Sequence, residues 1–500
     1  MELNSQQILK DYRAHKVDRH TATHHLVTLI ANSSDLTKRI EGIHALDLIG
    51  IQSQFLFNFF ENLMISDSHR KIRKLAIALI RDHYIDRAFE PMCWAYKHET
   101  SIECLLDIIS TLGEIKGPLA KEYLMNQLIT LDLPEFYNFI SQIRENKQIN
   151  KYTNSQLAGI LQDYHILFFL RKKFKRIQYN IQKGRIHELG LSFIIYNIYD
   201  PTIMAILPTF FEYLDTLTVL DLRLNKLTTL PHSLVHLSQL KTLNLSNNNL
   251  RYLPEFFSNL CSLNHLNLSY NDIRYLPRNF GKLKSLYSID LNHNQLLQLP
   301  PSFENLQNLR YLNLHGNKLE KIPNPLFELK RLKHLELGLN KLQQIQTDIT
   351  HCSTLRKLCV GGNELNQDSL RNILRLRNLK ELDLYDNKLK EIPDQIGKQN
   401  RLKSLSLHNN QLDSLPKSFK YLDSLESIDL SWNNFRRIPE QLFNLKKLKY
   451  IDLSGNKINS IPSKATGLKN LHSLNLIYNQ IHKLSEPLVD LKDQGVNIQI

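Results

Sequence analysis

The sequence predicts two solenoids in one chain, an all-α helical domain followed by an α/β solenoid with a parallel β-sheet on its concave face. Three observations support this fold class. The chain has 500 residues, more than one hydrophobic core usually serves. Residues 217–500 repeat one apolar pattern every 23 residues. Residues 1–150 lack strand alternation and are instead rich in apolar residues at helical spacing.

The composition is typical of a folded protein in a reducing compartment. Hydrophobic residues make up 42% of the chain and charged residues 22%, which excludes wholesale disorder. The five Cys contain no C-x-x-C pair, so a disulfide scaffold or zinc ribbon is a poor fit. The polar N-terminus has no apolar signal-peptide region, and no apolar run reaches the roughly 20 residues that span a bilayer. We therefore expect a cytoplasmic location.

Residues 1–160 are expected to form paired helices. Three segments align in register, at offsets of 34 and 29 residues, and each precedes a second helical candidate. The first segments are 39–50, 73–80 and 102–113, and the second candidates are 55–64, 88–97 and 119–129. The pattern resembles HEAT or armadillo-type α-hairpins, with a period shorter than their usual 40–47 residues. A plain helical bundle is the alternative.

Residues 161–189 are predicted to be a basic helical connector. Five clustered basic residues follow an apolar stretch in this segment: Arg171, Lys172, Lys173, Lys175 and Arg176. A basic amphipathic helix can bind an anionic membrane, an acidic protein groove or nucleic acid. Alternatively, the segment is a linking helix whose charged face is solvated.

From Leu217 onward the chain repeats the pattern L-x-x-L-x-L-x-x-N-x-L-x-x-L-P-x-x-L-x-x-L. Twelve repeats begin between Leu217 and Leu471 in steps of 23 residues, with one step of 24 after Leu355. The L-x-L part alternates apolar and polar residues, which predicts a half-buried strand. This stretch resembles the leucine-rich repeat (LRR) family. The resemblance implies a horseshoe with one strand per repeat over 217–500, ending in a terminal strand, after a degenerate capping repeat at 190–216.

Two further repeat positions are expected to be architectural. In LRR folds the motif Asn is buried after the strand and bonds to backbone groups of adjacent turns, since an unpaired buried amide costs about 1–3 kcal/mol. The Asn occurs in all twelve repeats, at 225, 248, 271, 294, 317, 340, 363, 387, 410, 433, 456 and 479. A Pro follows the third apolar position in nine repeats and fixes φ where the chain turns to the convex side.

The outward strand positions form two rows of opposite charge. The mid-line row is rich in acids and comprises Asp221, Asn244, Asn267, Asp290, Asn313, Glu336, Cys359, Asp383, Ser406, Asp429, Asp452 and Asn475. The second motif position is basic in many repeats; this cation row comprises Lys241, Arg310, Lys333, Arg356, Lys380, Lys403 and Lys449. Adjacent rows of opposite sign suit a charged protein partner. They suit a phosphate backbone less well, because the acidic mid-line would repel it.

Larger side chains on this face are the predicted partner-binding residues. They are Tyr270, His293, Tyr311, His315, Glu336, Tyr385, Asp386, His408, Trp432 and Tyr450. Tyr and Trp dominate binding energy at protein interfaces. The alternative for any outward Tyr is simply high strand propensity. In the mid-line, Cys359 is expected to be an accessible thiol.

The pattern breaks at repeats six and seven. Gln346 replaces the Pro, and residues 366–369 replace the Leu-Pro stretch of the 24-residue repeat. We expect Asp368 or Ser369 to cap a short convex helix that extends through Leu376. The break is hypothesised to shape the partner site; a tolerated insertion is the alternative.

The sequence contains none of the catalytic or nucleotide-binding motifs that we sought. The chain has no P-loop, H-E-x-x-H, G-x-S-x-G or kinase motif, so we expect no enzyme, no catalytic residue, no cofactor and no metal. The repeat is similar to that of intracellular Ras-pathway scaffold LRR proteins. That resemblance implies a signalling scaffold whose concave face binds a small GTPase or a phosphatase.

Two other functions stay open. One is nucleic-acid binding through the basic connector, which the net charge of +14 would favour. The other is a regulatory or effector subunit whose activity lies in the helical half.

Overall fold

The computed structural model describes residues 4–50, 52–131, 134–145, 151–174, 177–192, 210–481 and 486–500. The chain divides into two compact units. The helical unit comprises residues 1–189 and 201–217, and the repeat unit comprises residues 190–200 and 218–500. Within the described ranges, no helix combines the length and apolar character that crossing a membrane requires.

The helical unit contains ten α-helices in the part of the chain that is described. They are α1 Ser5–Arg13, α2 Arg19–Asn32, α3 Leu36–Ile49, α4 Gln54–Ser66, α5 Arg70–Tyr84, α6 Phe89–His98, α7 Ile102–Glu114, α8 Pro118–Ile129, α9 Pro134–Glu145 and α10 Asn154–Lys173. Several begin at a side chain that accepts a backbone N–H, as Asp18, Ser53 and Thr153 do. Gly50 ends α3 in the left-handed conformation, which a residue without Cβ adopts at low cost.

The aligned sequence segments coincide with helices. The three first segments lie in α3, α5 and α7, and the three second candidates lie in α4, α6 and α8. Helix α5 packs against both α3 and α7, and α7 packs against α10, so the first helices form a continuous layer. Each first helix packs more extensively against the helix before it, in the pairs α2/α3, α4/α5 and α6/α7, than against the second candidate that follows it. Assignment to the HEAT class remains a prediction.

The predicted boundary at 160/161 lies inside α10. Residues 157–164 of this helix are all buried, because α10 is apolar around most of its circumference and packs against α7 and α8. Two strands follow, β1 Gln178–Gln182 and β2 Arg185–Gly190, joined by a turn with positive φ at Lys183 and Gly184. The described residues of 161–189 therefore comprise the second half of a core helix and a hairpin.

Two ion pairs recur at equivalent places in the helical unit. Arg39 of α3 pairs with Asp67 after α4, and Arg73 of α5 pairs with Glu99 after α6. Both Arg73 bonds to the Glu99 carboxylate are short, at 2.8 and 2.9 Å. Each pair ties the start of a first helix to the loop after the following helix.

A third pair is more deeply buried. Asp163 of α10 has a fully buried side chain and accepts the Arg185 Nε–H at 2.9 Å and the Ile186 backbone N–H at 2.7 Å. The same guanidinium also binds Asp215. Burial raises the pKa of Asp163 to about 6, although Arg185 favours its ionised form.

The repeat unit is one parallel sheet of thirteen short strands among the described residues. They are β3 Val219–Asp221, β4 Thr242–Asn244, β5 His265–Asn267, β6 Ser288–Asp290, β7 Tyr311–Asn313, β8 His334–Glu336, β9 Lys357–Cys359, β10 Glu381–Asp383, β11 Ser404–Ser406, β12 Ser427–Asp429, β13 Tyr450–Asp452, β14 Ser473–Asn475 and β15 Asn497–Gln499. Each strand pairs with the next in the same register, so Leu220 lies beside Leu243 and Leu243 beside Leu266. The central residue of each repeat strand up to β14 is buried.

The convex side consists mainly of single 3₁₀ turns. They are His232–His236, Glu255–Asn259, Phe280–Lys282, Pro301–Asn305, Asn324–Glu328, Thr347–His351, Asp394–Lys398, Lys417–Tyr421, Glu440–Asn444 and Ser463–Gly467. Most follow the repeated Pro, whose φ lies near −65° in Pro254 and Pro416. Beneath the turns, Phe257, Phe280 and Phe303 stack in nearly parallel planes.

The motif Asn has the structural role that the family resemblance implies. Asn294 donates from Nδ2 to the Leu268 and Leu291 carbonyls at 2.9 and 3.1 Å, and its Oδ1 accepts the Ile273 N–H at 3.0 Å. The other repeats show equivalent bonds, for example at Asn456. These amides connect each repeat to the previous one.

The two ends of the repeat unit differ from its middle. Leu191 donates its N–H to the Asp221 carbonyl and accepts from Asn225 Nδ2, as an earlier repeat would. Most of the predicted capping repeat, residues 193–209, lies outside the described residues. At the other end, α12 Glu486–Asp493 precedes β15, which pairs with β14 and confirms the predicted terminal strand.

Candidate functional site

The concave face carries the outward residues of the strands in straight rows. Because all strands are parallel and in register, residues at one motif position lie side by side along the sheet. Adjacent strands are about 4.8 Å apart, which sets the spacing within each row. The predicted orientation is confirmed, since Leu220 and Leu222 are buried while Val219, Asp221 and Arg223 face outward.

Most side chains of the mid-line row are hydrogen-bonded to the backbone of their own repeat. In nine repeats the Asp or Asn side chain accepts the backbone N–H two residues later at 2.8–3.2 Å, which is an Asx turn. The nine are Asp221, Asn244, Asn267, Asp290, Asn313, Asp383, Asp429, Asp452 and Asn475. Asp and Asn serve this turn equally, so much of the acidity of the mid-line has a structural origin. Burial also raises the pKa of Asp290 and of Asp383.

The expected accessible thiol at Cys359 is wrong. The residue is buried, and its sulfur lies 3.7 Å from Asp383 Oδ2. Burial, reinforced by that carboxylate, raises the pKa of the thiol to about 12. Cys359 therefore belongs to the packed surface of the sheet.

The cation row lies immediately before the strands, as predicted. Lys403 and Lys449 both bind Glu426, which stands between them in the same row, at 2.8 and 2.9 Å. These two hydrogen bonds lower the pKa of Glu426 to about 2. Arg310 stacks on the ring of Tyr287, with 5.0 Å from its Cζ to the ring centroid.

The position directly before the motif Asn has left-handed backbone in all twelve repeats. We call it the turn row: Leu224, Asn247, Tyr270, His293, Gly316, Leu339, Gly362, Asp386, Asn409, Trp432, Gly455 and Tyr478, with φ between 49° and 65°. Glycine is favoured at such φ, and Asn and Asp tolerate it. Bulky residues at this position are costly for the backbone, so their presence requires another explanation.

Rings of the preceding repeat pack directly against glycines of the turn row. A Cβ added to Gly316 would lie 2.8 Å from His293 Nδ1, and one added to Gly455 would lie 2.8 Å from Trp432 Cδ2. Half of the Trp432 surface is nevertheless exposed to solvent. The rings are thus supported from beneath and open above.

The predicted site residues divide among four rows. Tyr270, His293, Asp386 and Trp432 lie in the turn row; His315, Tyr385 and His408 lie one residue earlier; Tyr311 and Tyr450 begin strands; and Glu336 is in the mid-line. All ten are on the strand-bearing side, but they do not form one patch.

Two clusters emerge from these residues. Tyr270 stacks on His293 with centroids 4.4 Å apart, and His293 contacts His315 edge-on at 5.4 Å. Burial and the neighbouring His293 lower the pKa of His315. Further along, Trp432 lies 6.1 Å from Tyr478 across Gly455.

Sequence reasoning missed Leu339 as a site residue. Its side chain packs over Gly362, yet 44% of its surface is exposed. The available signal was the recurrence of Gly directly before the motif Asn, at Gly316, Gly362 and Gly455. Gly at one position of a repeat indicates positive φ, and the non-glycine residues at that position then stand out.

The irregular repeats lie beside a groove. Helix α11 Gln367–Ile373 is present, but its cap is Asn366, whose side chain accepts the Ser369 N–H, and not Asp368 or Ser369. Asn at this place leaves its oxygen aimed at the first turn, which is the requirement for a cap. Next to it, a groove of about 1210 Å³ is lined by Lys318, Lys341 and Gln346 among others.

The basic connector is only partly described. Arg171, Lys172 and Lys173 form the exposed last turn of α10, where positive charge favours the helix C-terminus. Lys175 and Arg176 lie outside the described residues. No group of three or more His, Cys, Asp or Glu within the described ranges could hold a metal ion.

Comparisons with known proteins place the repeats in one family. A family described as "Leucine-rich repeat region" matches residues 255–368, and one described as "Leucine rich repeat" matches residues 202–250, 377–435 and 433–481. No curated protein gives a significant match.

Solved structures of several proteins are similar to this chain. An LRR protein of Leptospira interrogans is 27% identical over 62% of this chain and 95% of its own, with a TM-score of 0.47. An internalin of Listeria monocytogenes is 23% identical, with coverage of 58% and 81% and a TM-score of 0.50. A TDR receptor is 27% identical at the same TM-score, over 58% of this chain and 52% of the receptor.

Proposed function

Since this chain is a leucine-rich repeat protein, we propose that it is a non-catalytic scaffold that binds a protein partner on the concave face of its repeats. LRR domains generally mediate protein–protein interaction. Solenoids use their long concave surfaces for such binding. The resemblance to Ras-pathway scaffolds suggests a small GTPase or a phosphatase as the partner, in intracellular signalling.

The observation that carries this proposal is the turn row. Its bulky residues, such as Tyr270, Leu339 and Trp432, are held at positive φ, where an L-residue costs roughly 1–2 kcal/mol compared with ordinary backbone. Each is about half exposed, so burial does not explain its presence. Exposed rings on rigid backbone are the features of interface hot spots, because little entropy is lost when they are buried by a partner.

The experiment compares a concave-face variant with a matched control in affinity capture from lysate of the source cells. The concave variant is Tyr270→Gly/Trp432→Gly, which removes two rings and relieves the backbone. The control is Tyr252→Ser/Tyr421→Ser, which removes two rings of equal exposure away from the turn row. Captured proteins are identified by mass spectrometry, with and without nuclease.

The expected result is a protein that wild type and control retain and the concave variant loses, whether or not nuclease is added. Retention by the concave variant would contradict the proposal. Material that disappears with nuclease from all three proteins would favour nucleic-acid binding instead. Circular dichroism checks that every variant is folded.

A further inference from the structure

The middle of the cation row contains three charges that form no ion pair with the residues that the structure describes. Lys333, Arg356 and Lys380 occupy the same motif position in three successive repeats. None of the three forms an ion pair with another residue in the described ranges, whereas their neighbour Lys357 binds Glu336 at 2.9 Å. Arg356 and Lys380 are exposed and Lys333 is half-buried.

The spacing of these cations is set by the sheet. Their backbones pair through the strands that follow them, with Lys357 opposite both His334 and Glu381. From Arg310 to Lys403 five consecutive repeats carry a cation in this row, which spans about 19 Å at one strand spacing per step. Such a line of charge is regularly spaced, because in-register strand pairing fixes the positions of its members.

The same row shows which ligand suits it. Where the sixth consecutive position carries Glu426 instead of a cation, its carboxylate takes one hydrogen bond from Lys403 on one side and one from Lys449 on the other. Each oxygen accepts from one ammonium group. The cations of this row that lie two repeats apart therefore bind one carboxylate held between them, without any rearrangement of the sheet.

We infer that Lys333, Arg356 and Lys380 bind carboxylates on an acidic α-helical segment of the protein partner. This inference rests on the proposed function and specifies its partner. On a helix, residues three and four apart present side chains 5–6 Å from one another, close to the strand spacing of the row. A helix of about 13 residues covers the 19 Å from Arg310 to Lys403.

A helix also fits the neighbouring rows better than a nucleic acid does. A helix is about 10–12 Å wide and can carry acids along one stripe only. A nucleic-acid duplex carries charge on all sides, and its width would bring phosphates over Asp290, Glu336 and Asp383 of the mid-line. Those carboxylates would repel phosphates but attract a basic stripe beside the acidic one.

The test uses two synthetic helical peptides of 16 residues with identical composition. One has Glu at i, i+4, i+7 and i+11 with Lys on the adjacent stripe, and the other distributes the same residues around the helix. Binding to the full chain is measured by fluorescence anisotropy at low and moderate salt. The row variant is Lys333→Gln/Arg356→Gln/Lys380→Gln. The control, Lys282→Gln/Lys398→Gln/Lys446→Gln, removes the same charge from exposed lysines at or beside the convex 3₁₀ turns.

The expected result is binding of the striped peptide that falls about tenfold in the row variant and stays unchanged in the control. Equal losses in both variants, equal binding of the two peptides, or no binding would overturn the inference. Tighter, row-dependent binding of a 20-nucleotide single-stranded RNA would overturn it in favour of nucleic acid.

The row variant is also included in the affinity capture. If it retains a partner that the Tyr270→Gly/Trp432→Gly variant loses, this inference fails and the proposed function stands. If both retain the partner, the proposed function fails as well.

Discussion

The two units of this protein satisfy their buried polar groups in different ways. In the repeat unit one device is used again and again, the Asn that bonds to backbone carbonyls of its own and the previous repeat. In the helical unit the polar links are individual, and they include ion pairs between side chains from separate elements, as between Arg185 and both Asp163 and Asp215.

The difference determines what a single substitution does. The motif Asn residues form a ladder of equivalent hydrogen bonds along the repeat unit, which we call the Asn ladder. Losing one Asn of this ladder affects only two neighbouring repeats. A buried ion pair concentrates its effect, because removing one partner leaves a charge without compensation. Urea unfolding can compare the two units separately, since Trp94 lies in the helical unit and Trp432 in the repeat unit, and the chain has only two Trp.

The largest effect is expected for Arg185→Ala. Removing the guanidinium leaves Asp163 buried and unpaired, which should lower the free energy of unfolding of the helical unit by about 3–5 kcal/mol. The measurement is urea unfolding followed by Trp94 fluorescence in a Trp432→Phe background. The double variant Asp163→Leu/Arg185→Met should recover much of the loss. A loss below 1 kcal/mol in the single variant would show that the pair is not the anchor of this unit.

Acid should remove the contribution of His165 to the stability of the helical unit, whereas protonation of Asp163, whose pKa is raised to about 6, acts in the opposite direction. The His165 side chain is largely buried beside the Tyr96 hydroxyl, 2.9 Å from Nε2, and burial lowers its pKa from 6.5 to about 4. The unfolded chain therefore binds a proton between pH 6.5 and 4 that the folded unit does not. As the pH falls through this window, His165 should therefore lower the free energy of unfolding by at most about 3 kcal/mol.

The comparison is between wild type and His165→Gln, which keeps a neutral hydrogen-bonding partner for Tyr96. Unfolding at a series of pH values, read from Trp94, should show a smaller decline between pH 6.5 and 4 in the variant. Identical slopes in the two proteins would assign the acid sensitivity to other groups.

Replacing a single Asn of the Asn ladder should lower the free energy of unfolding by a smaller amount. Asn456→Ala removes three donated bonds and leaves the buried Phe435 N–H without its acceptor, which should cost about 1–3 kcal/mol in the repeat unit. Unfolding is followed by Trp432 fluorescence in a Trp94→Phe background. Asn470→Ala, at an exposed Asn outside the ladder, is the control and should have little effect. Equal losses at both positions would argue against the ladder.

The smallest effect is expected in the turn row and has the opposite sign. Tyr478 is three-quarters exposed at φ 59°, so Tyr478→Gly loses little packing and relieves the backbone. After allowance for the greater entropy of unfolded glycine, the repeat unit should gain about 0.5 kcal/mol. Tyr478→Ala removes the ring but keeps the conformation, so it should give no gain. A gain of equal size with Ala would contradict the strain argument.

Much of the repeat unit can be predicted from sequence because its contacts are periodic. Leu220 and Leu243 occupy one motif position and so must share one face, and the same logic locates the cation row and the motif Asn. The terminal strand at 497–499 follows from the same alternation. In the helical unit, local periodicity predicts where helices such as α3 and α5 lie, because side chains three and four residues apart define one face.

Tertiary structure decided which residues at these positions are buried, hydrogen-bonded or paired. Whether Asp290 faces a partner or closes its own turn depends on backbone angles that no residue pattern states, and the burial of Cys359 depends on its neighbours in the folded chain. The pairing of Arg185 with Asp163 and Asp215 joins residues that are adjacent only after folding. Sequence by itself determined which residues share a row or a helix face, because period alone sets that. Only the folded chain decided which charges are neutralised and which, like Arg356 and Lys380, remain available, because neutralisation depends on distances between separate elements.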